Sequence, residues 1–279
     1  VVLSLLVVIL AGQAYFRPEG GAVVAEPAYA RVSQTNVLRC GYFSWDPGII
    51  INPNTGEMSG IFYDYVMALG RLLNLKIEWV EEVPLGEFPA ALSHQRIDAF
   101  CSAMWPTGAR ARGADFVTPI YYLPLYAYVR AGEKRFASVA ELNQPTVRMA
   151  ILEGGVTQTI QQLQFPEADP VDLPQLTSPA ELFVTLALGK ADAVIYDRLT
   201  QAKFARKNPD KVVQLGTDPV RVFPNVMAVA IGEDKLRRLL DHGTRELLLN
   251  GEIDTILKRY IDVPNAVLPV TAGYGSVTR

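Results

Sequence analysis

The sequence predicts an α/β protein with two similar lobes. Strand-like segments alternate with helical ones, which is typical of crossover connections and a mostly parallel sheet. The chain also contains an internal echo, because FPAALSHQRIDAFC at 88–101 and LFVTLALGKADAVI at 182–195 place Leu, a basic residue and Asp-Ala at the same offsets. Asp98 and Asp192 of this echo are interpreted as turn residues between helix and strand, without a chemical role.

The first lobe is predicted from hydrophobic periodicity to contain strands alternating with helices. These elements cover 37–43, 61–75, 76–83, 88–95 and 97–104. A loop rich in Pro, Gly and Asn separates the first strand from the first helix and ends at Gly60. The apolar run YLPLYAYVR near 122–130 is the first predicted crossing between the lobes.

The second half of the chain repeats this pattern. Its predicted elements are strands over 146–152 and 191–197 and helices over 154–164 and 181–190. The stretch 226–261 combines a strand with two amphipathic helices broken near Asn250-Gly251, since glycine after a helical run stops a helix. Two crossings of this kind make a hinge. We expect the first part of lobe 1 at 31–127, lobe 2 at 128–224, and the return to lobe 1 with a C-terminal tail at 225–279.

The composition excludes several classes of function. The 279 residues are 49% hydrophobic and 20% charged, as in folded globular proteins. With 26 Lys+Arg against 29 Asp+Glu, the formal net charge of -3 leaves no surplus positive charge for binding nucleic acid. Two cysteines and two histidines leave little material for a metal site. We therefore expect no nucleic-acid partner, no metal and no cofactor.

The N-terminal segment predicts export. Residues 1–12 are almost entirely apolar and have about the length of a signal-peptide core, shorter than the roughly 20 residues of a membrane-spanning helix. We expect residues 1–30 to be a signal peptide or an N-terminal membrane anchor with a linker, and Ala28-Tyr29-Ala30 offers a small-x-small cleavage motif. The expected location is periplasmic or otherwise extracytoplasmic. A buried core helix is the alternative interpretation.

Three motifs in a fixed order carry a family resemblance. They are LRCGYFSWDPG, NPNTGEMSGIFYDYVMALGRLLNL and EFPAALSHQRIDAFCSAMWPTGARARGADFVTPIYY. Over about 37–262 the chain resembles the extracellular solute-binding proteins of family 3, which capture polar amino acids for ABC importers. The resemblance implies a two-lobe, type II periplasmic-binding-protein (Venus-flytrap) fold with crossing hinge strands. It also implies a small ligand, such as an amino acid or a related carboxylate, an ABC permease and its ATPase as partners, and no catalysis. We expect a monomer.

The resemblance also assigns two charged site residues. TGAR at 107–110, followed by DF at 115–116 and PIY at 119–121, is similar to the family's Thr-x-x-Arg, Asp-Phe and Pro-x-Tyr block. Arg110 there matches the arginine that holds the ligand α-carboxylate, and its planar fork of donors suits both carboxylate oxygens. Asp197, after the apolar strand AVIY, matches the carboxylate that takes the α-ammonium. The structural alternatives are an exposed loop arginine and a helix N-cap.

Further residues are expected to complete the ligand site. Aromatic faces would form its walls, hydroxyls would donate or accept hydrogen bonds, and backbone N–H groups at a helix start would face an anion. Core packing or loop capping is the alternative role for each. Two departures change the expected pocket, because Leu85 stands where the family carries an aromatic residue and Trp105 where it has a small hydroxyl residue. The eight residues are Phe43, Trp45, Ser102, Trp105, Thr107, Tyr121, Gly155 and Thr157.

The two cysteines are predicted to form a disulfide. Cys40 and Cys101 lie in segments interpreted as the first and third strands of lobe 1, which can be neighbours in an open sheet of this topology. An oxidising compartment permits the bond. Two buried apolar cysteines are the alternative.

Two other functions use the same residues. One is a ligand-sensing domain that acts without transport. The other is a periplasmic dehydratase of the cyclohexadienyl or arogenate type, for which Glu153 is the only acidic residue that we nominate as a proton donor. The sequence contains neither a G-x-S-x-G nor an H-E-x-x-H motif, so it favours a binding protein over an enzyme.

Overall fold

The computed structural model describes residues 27–270, and ten of the described strands form one sheet. The helices are α1 (Ala28–Thr35), α2 (Ile61–Leu73), α3 (Phe88–Ser93), α4 (Val156–Gln164), α5 (Ala180–Ala187), α6 (Arg198–Lys207), α7 (Asp234–Leu249) and α8 (Glu252–Tyr260). The strands are β1 (Val37–Tyr42), β2 (Ile50–Ile51), β3 (Met58–Ser59), β4 (Lys76–Glu82), β5 (Ala99–Met104), β6 (Ala114–Phe116), β7 (Tyr121–Arg130), β8 (Arg148–Leu152), β9 (Asp169–Leu173), β10 (Ala193–Asp197), β11 (Val212–Leu215) and β12 (Arg221–Ala230).

The sheet joins two lobes through an antiparallel pair of long strands. Its order is β4-β1-β5-β12-β7-β10-β8-β9, with β6 beside β12 and β11 beside β7. Lobe 1 contains the parallel set β4, β1 and β5, and lobe 2 contains the parallel set β10, β8 and β9. Strands β7 and β12 cross between them and pair from Tyr121 opposite Asn225 to Leu125 opposite Arg221. The predicted α/β fold with two lobes and crossing hinge strands is confirmed, whereas the exact domain boundaries stay predictions.

Most predicted elements lie within a few residues of their expected positions, and the differences have local causes. Strand β12 begins at Arg221 rather than near 226, because its first half pairs with β7 in the crossing. Strand β9 was not predicted from its sequence, DPVDL, since Asp and Pro are rare in strands. It lies at the edge of the sheet, where a proline removes no ladder hydrogen bond.

Helix α1 is a further element that the sequence did not predict. The backbone N–H groups of Ala28 and Tyr29 donate to the Glu233 carboxylate at 2.7 and 3.2 Å, and Val32 is buried in the core. The small-x-small motif at 28–30 therefore forms the first turn of a packed helix. Residues 1–26 of the predicted export segment lie outside the described residues.

The predicted Cys40–Cys101 disulfide is confirmed. Strands β1 and β5 are parallel neighbours, with Cys40 opposite Ala99, and the two cysteine Cα atoms lie 5.4 Å apart. Both side chains are fully buried. The bond ties the central strand of lobe 1 to the strand that leads into the cleft.

The internal echo corresponds to the same arrangement of hydrogen bonds around an aspartate in both lobes. Asp98 accepts a hydrogen bond from the backbone N–H of Arg39 at 2.7 Å, and its own N–H donates to the Arg39 carbonyl at 2.8 Å. Asp192 makes the same two contacts with Arg148, at 3.1 and 2.7 Å. Each aspartate is buried and also accepts from arginine side chains. These residues therefore fix the start of a parallel strand pair in each lobe, as their interpretation as turn residues implies.

The network around Asp192 predicts a loss of stability at acidic pH. Burial alone would raise the pKa of Asp192, but hydrogen bonds from Arg148, Arg135 and Arg130 hold that pKa well below its usual range. A carboxyl with a depressed folded-state pKa contributes stability above its unfolded pKa of about 3.9, and this contribution is lost as the pH falls further. Asp192→Asn should therefore lower the free energy of unfolding by about 2 kcal/mol at pH 7. At pH 3 the loss should be about 1 kcal/mol smaller, because part of the unfolded-state carboxyls, but not the folded-state one, is then protonated.

The comparison requires urea unfolding of wild type and Asp192→Asn at both pH values. Gln158→Ala, at a partly exposed helix position remote from this network, serves as a variant whose effect should not change with pH. An equal loss of stability at pH 7 and pH 3 for Asp192→Asn would contradict the proposed ionic contribution.

Candidate functional site

A small cavity lies between the two lobes. Lobe 1 contributes Phe43, Trp45, Leu85, Ala103, Met104, Trp105 and Arg110, and lobe 2 contributes Leu152, Gly155, Val156, Thr157 and Tyr196. The cavity measures about 30 Å³, room for roughly two water molecules. Sites that hold small organic molecules usually measure roughly 300–1,000 Å³. The lobes are therefore closed in this conformation, and a ligand of ordinary size enters only if they separate.

The cavity brings together six of the ten predicted ligand-site residues. The six are Phe43, Trp45, Trp105, Arg110, Gly155 and Thr157. The other four, which do not line it, are Ser102, Thr107, Tyr121 and Asp197. Their ligand roles stay predictions, and the contacts that these residues make in the structure are described next.

Arg110 spans the cleft. Its guanidinium donates at 2.8 Å to the carbonyl of Trp105 in lobe 1 and at 2.8 Å to the carbonyl of Gly154 in lobe 2. Within residues 27–270, no carboxylate forms an ion pair with it. Burial lowers the pKa of Arg110 to about 10, so the group remains protonated at neutral pH. The closed cleft thus holds a partly buried cation that donates to two backbone carbonyls and lies 5.9 Å from the centroid of the Phe88 ring.

Trp105 forms a fixed aromatic wall of the cavity. Its indole N–H donates to Asn225 Oδ1 at 2.8 Å, and Asn225 is a fully buried residue of the crossing strand β12. Its ring stacks on Phe223 with a centroid distance of 5.7 Å and tilts against Tyr196 at 5.9 Å. The side chain therefore occupies cleft volume and is held by the hinge itself.

Three predicted hydroxyl residues hold loops in place. Ser102 Oγ donates to the carbonyl of Phe43 at 2.9 Å. Thr107 Oγ1 accepts from the backbone N–H of Arg110 at 3.3 Å, and Thr157 Oγ1 accepts from that of Leu152 at 2.8 Å. The loop-capping alternative thus describes the contacts that these side chains make here.

Asp197 caps helix α6. Its Oδ1 accepts from the backbone N–H of Thr200 at 2.8 Å, and its Oδ2 accepts from the Thr200 hydroxyl at 2.9 Å. Asp197 is completely buried, and this burial raises its pKa, although the bonds from Thr200 act in the opposite direction. Tyr121, also fully buried, packs edge-on against Phe62. Both residues lie behind the cavity wall rather than on it.

Several polar contacts join the lobes around the cavity. The Trp45 indole N–H donates to Thr200 Oγ1 at 3.3 Å, and the backbone N–H of Gly86 donates to Gln175 Oε1 at 3.1 Å. At the rim, Lys203 pairs with Asp46, and Arg206 pairs with Asp262 at 2.6 Å. Each contact depends on the closed arrangement, so the lobes separate only when these contacts break.

Tyr196 is the most informative site residue that sequence reasoning missed. It belongs to the apolar run AVIY, whose composition indicates a buried strand, yet it lines the cavity next to Asp197. Glu153, nominated as the proton donor of a dehydratase, is exposed and does not line the cavity.

No helix within residues 27–270 has the length and apolar character needed to cross a membrane.

Comparisons with known proteins agree with this architecture. The family profile of the bacterial extracellular solute-binding proteins, family 3, matches residues 38–263. The ABC transporter glutamine-binding protein GlnH of Bacillus subtilis (strain 168) is 25% identical over 213 residues, which cover 75% of this chain and 75% of GlnH.

Solved structures share the fold at lower identity. The ancestral amino acid-binding protein AncCDT-1, a precursor of cyclohexadienyl dehydratase, superposes with a TM-score of 0.73 at 22% identity, covering 84% of this chain and 99% of that one. A histidine kinase sensor domain with similarity to periplasmic binding proteins gives a TM-score of 0.72 at 20% identity, covering 84% and 97%. The profile match spans most of the chain, and the resemblance noted from the motifs is confirmed. The chain therefore belongs to the bacterial extracellular solute-binding proteins, family 3.

Proposed function

We propose that this protein captures a small ligand bearing a carboxylate, an amino acid or a related acid, outside the cytoplasm and delivers it to an ABC importer. The observation that carries the proposal is Arg110, a partly buried cation in the cleft without a carboxylate partner among the described residues. A ligand carboxylate would supply the missing charge through two parallel hydrogen bonds. The importer as partner is supported by the similarity to GlnH.

Capture would work by closure of the lobes. A ligand that contacts both lobes stabilises the closed form and shifts the population toward it. Arg110 extends from lobe 1 to Gly154 of lobe 2, so a carboxylate beside its guanidinium lies within reach of both lobes. The geometry favours capture without reaction, because Glu153 is exposed and no described Asp or Glu lines the cavity.

The close approach of Gly154 in lobe 2 to Gly86 in lobe 1 allows a test of whether ligand binding needs the closed cleft. Gly154 has a φ of +67°, and a Cβ atom there would lie 2.8 Å from the backbone N of Gly86 in the facing lobe. Gly132 has a φ of +80° and open space around it, so alanine adds comparable backbone strain without a contact between the lobes. Gly154→Ala should weaken ligand binding about tenfold, or about 1.4 kcal/mol, whereas Gly132→Ala should leave the dissociation constant within about twofold.

The measurement is calorimetric titration of the full chain and both variants. The ligand comes from a thermal-shift screen of amino acids, small carboxylates, amines and sugars, in which a ligand at 100 times its Kd adds about 2.7 kcal/mol of stability. Equal affinities for the two glycine variants would show that binding does not need the closed cleft. Selection of amines or sugars over every acid would refute the carboxylate proposal.

A further inference from the structure

We infer that the ligand of this cleft is a small apolar carboxylate without an α-ammonium group, rather than a zwitterionic amino acid. The inference rests on the proposed function and narrows the chemistry of its site. It follows from what surrounds Arg110 in the cavity, from the position of Asp197, and from the fixed wall at Trp105.

The cavity offers one charged group, and that group is cationic. Arg110 is the single charged residue among those that line it, and most of the others are aromatic or aliphatic. An ammonium group in this space would lie near a guanidinium of the same sign and would lose its hydration without gaining a carboxylate. Burying an unpaired charge in this way is strongly unfavourable. A carboxylate, in contrast, pairs with Arg110, and its apolar part contacts the walls.

Asp197, which follows the cavity residue Tyr196, is already hydrogen-bonded within its own lobe. Each oxygen of Asp197 accepts a hydrogen bond from Thr200, and Asp197 has no exposed surface. The Thr200 hydroxyl in turn accepts from the Trp45 indole N–H at 3.3 Å in the closed cleft. The bonds from Thr200 belong to the N-terminus of α6 within lobe 2. They therefore persist whether the lobes are open or closed.

Trp105 adds an aromatic face to the cavity rather than a free hydrogen-bond donor. The indole N–H of Trp105 is taken by Asn225, and the ring lies between Phe223 and Tyr196. Because Asn225 belongs to the crossing strand β12, this hydrogen bond ties the ring to the hinge. The part of the ligand beyond its carboxylate thus meets aromatic faces and the side chains of Leu152 and Val156.

The experiment compares ligands that differ only in the α-ammonium group. The pairs are L-leucine with 4-methylpentanoate and L-phenylalanine with 3-phenylpropanoate, and 3-methylbutylamine serves as the control that lacks a carboxylate. Calorimetric titration of the wild-type full chain should show binding at least tenfold tighter for the deaminated acid of a pair. The amine should not bind.

The outcomes separate this inference from the proposed function. An amino acid that binds as tightly as its deaminated partner, or more tightly, overturns the inference and leaves the proposed function standing. Binding of the amine with no binding of any acid overturns both. Asp197→Asn adds an independent test, since asparagine caps helices as well as aspartate does. It should change the Kd of the acid less than twofold, and a loss confined to amino acids would show that Asp197 holds an ammonium group and would overturn the inference.

Discussion

Replacing Arg110 with alanine is expected to weaken carboxylate binding at least 100-fold. Truncating one partner of a buried, hydrogen-bonded charge pair costs about 2–5 kcal/mol, and about 2.8 kcal/mol corresponds to 100-fold. Arg110→Lys should give an intermediate affinity, because an ammonium keeps the positive charge but not the planar fork of donors. Calorimetric titration with the tightest acid of the ligand screen measures all three proteins.

Arg112 provides the matched control for this substitution. It lies two residues further along the same short 3₁₀ turn and is exposed, so Arg112→Ala removes an equal charge without touching the cavity. Its Kd should stay within about twofold of wild type. Thermal unfolding without ligand shows whether Arg110→Ala is folded. A folded Arg110→Ala variant that binds as well as Arg112→Ala would refute the role of Arg110.

Removal of the disulfide is expected to produce the largest loss of stability. Cys40 and Cys101 are 61 positions apart, and closing a loop of that length stabilises the folded state by about 4 kcal/mol in the chain-entropy model. The double variant Cys40→Ala/Cys101→Ala should therefore melt roughly 8–16 °C lower, at roughly 2–4 °C per kcal/mol for a domain of this size. Differential scanning calorimetry under non-reducing conditions measures the shift.

Ligand affinity is the control for the disulfide experiment. Both cysteines are fully buried, and neither lines the cavity, so the double variant should bind its ligand with an unchanged Kd below its melting temperature. A melting temperature within about 2 °C of wild type would show that the packing of β1 and β5 alone holds lobe 1 together. Loss of binding with little loss of stability would show that the bond positions the cleft instead.

The fold could be predicted because its signals are local or periodic. Alternating strand and helix patterns placed the parallel strands, and the matching offsets around Asp98 and Asp192 revealed the repetition between lobes. The disulfide followed from the neighbourhood of two strands. Strand β9 was missed because its Asp-Pro start is tolerated only at an edge, and edge position is a property of the assembled sheet.

The candidate site was predicted less completely because it depends on how the lobes meet. Arg110, Trp45 and Trp105 were found from motifs, and the structure places all three at the cavity. Tyr196 and Asp197 are adjacent in β10, and successive residues of a strand point to opposite faces. The sequence pattern does not show which of the two faces the cleft. The structure places Tyr196 on the cavity wall and Asp197 behind it.

The hydrogen bond between Trp45 and Thr200 has a practical consequence. The chain contains three tryptophans, and two of them, Trp45 and Trp105, lie in the cleft, whereas Trp79 stacks on Tyr63 in lobe 1. When the lobes separate, the Trp45 indole exchanges a buried hydroxyl partner for water, while Trp105 stays bonded to the hinge and Trp79 keeps its neighbour. The emission spectrum of the unlabelled protein therefore carries two fluorophores in the cleft whose surroundings change on opening, because Trp105 also loses its contact with Tyr196, and one, Trp79, that acts as an internal reference.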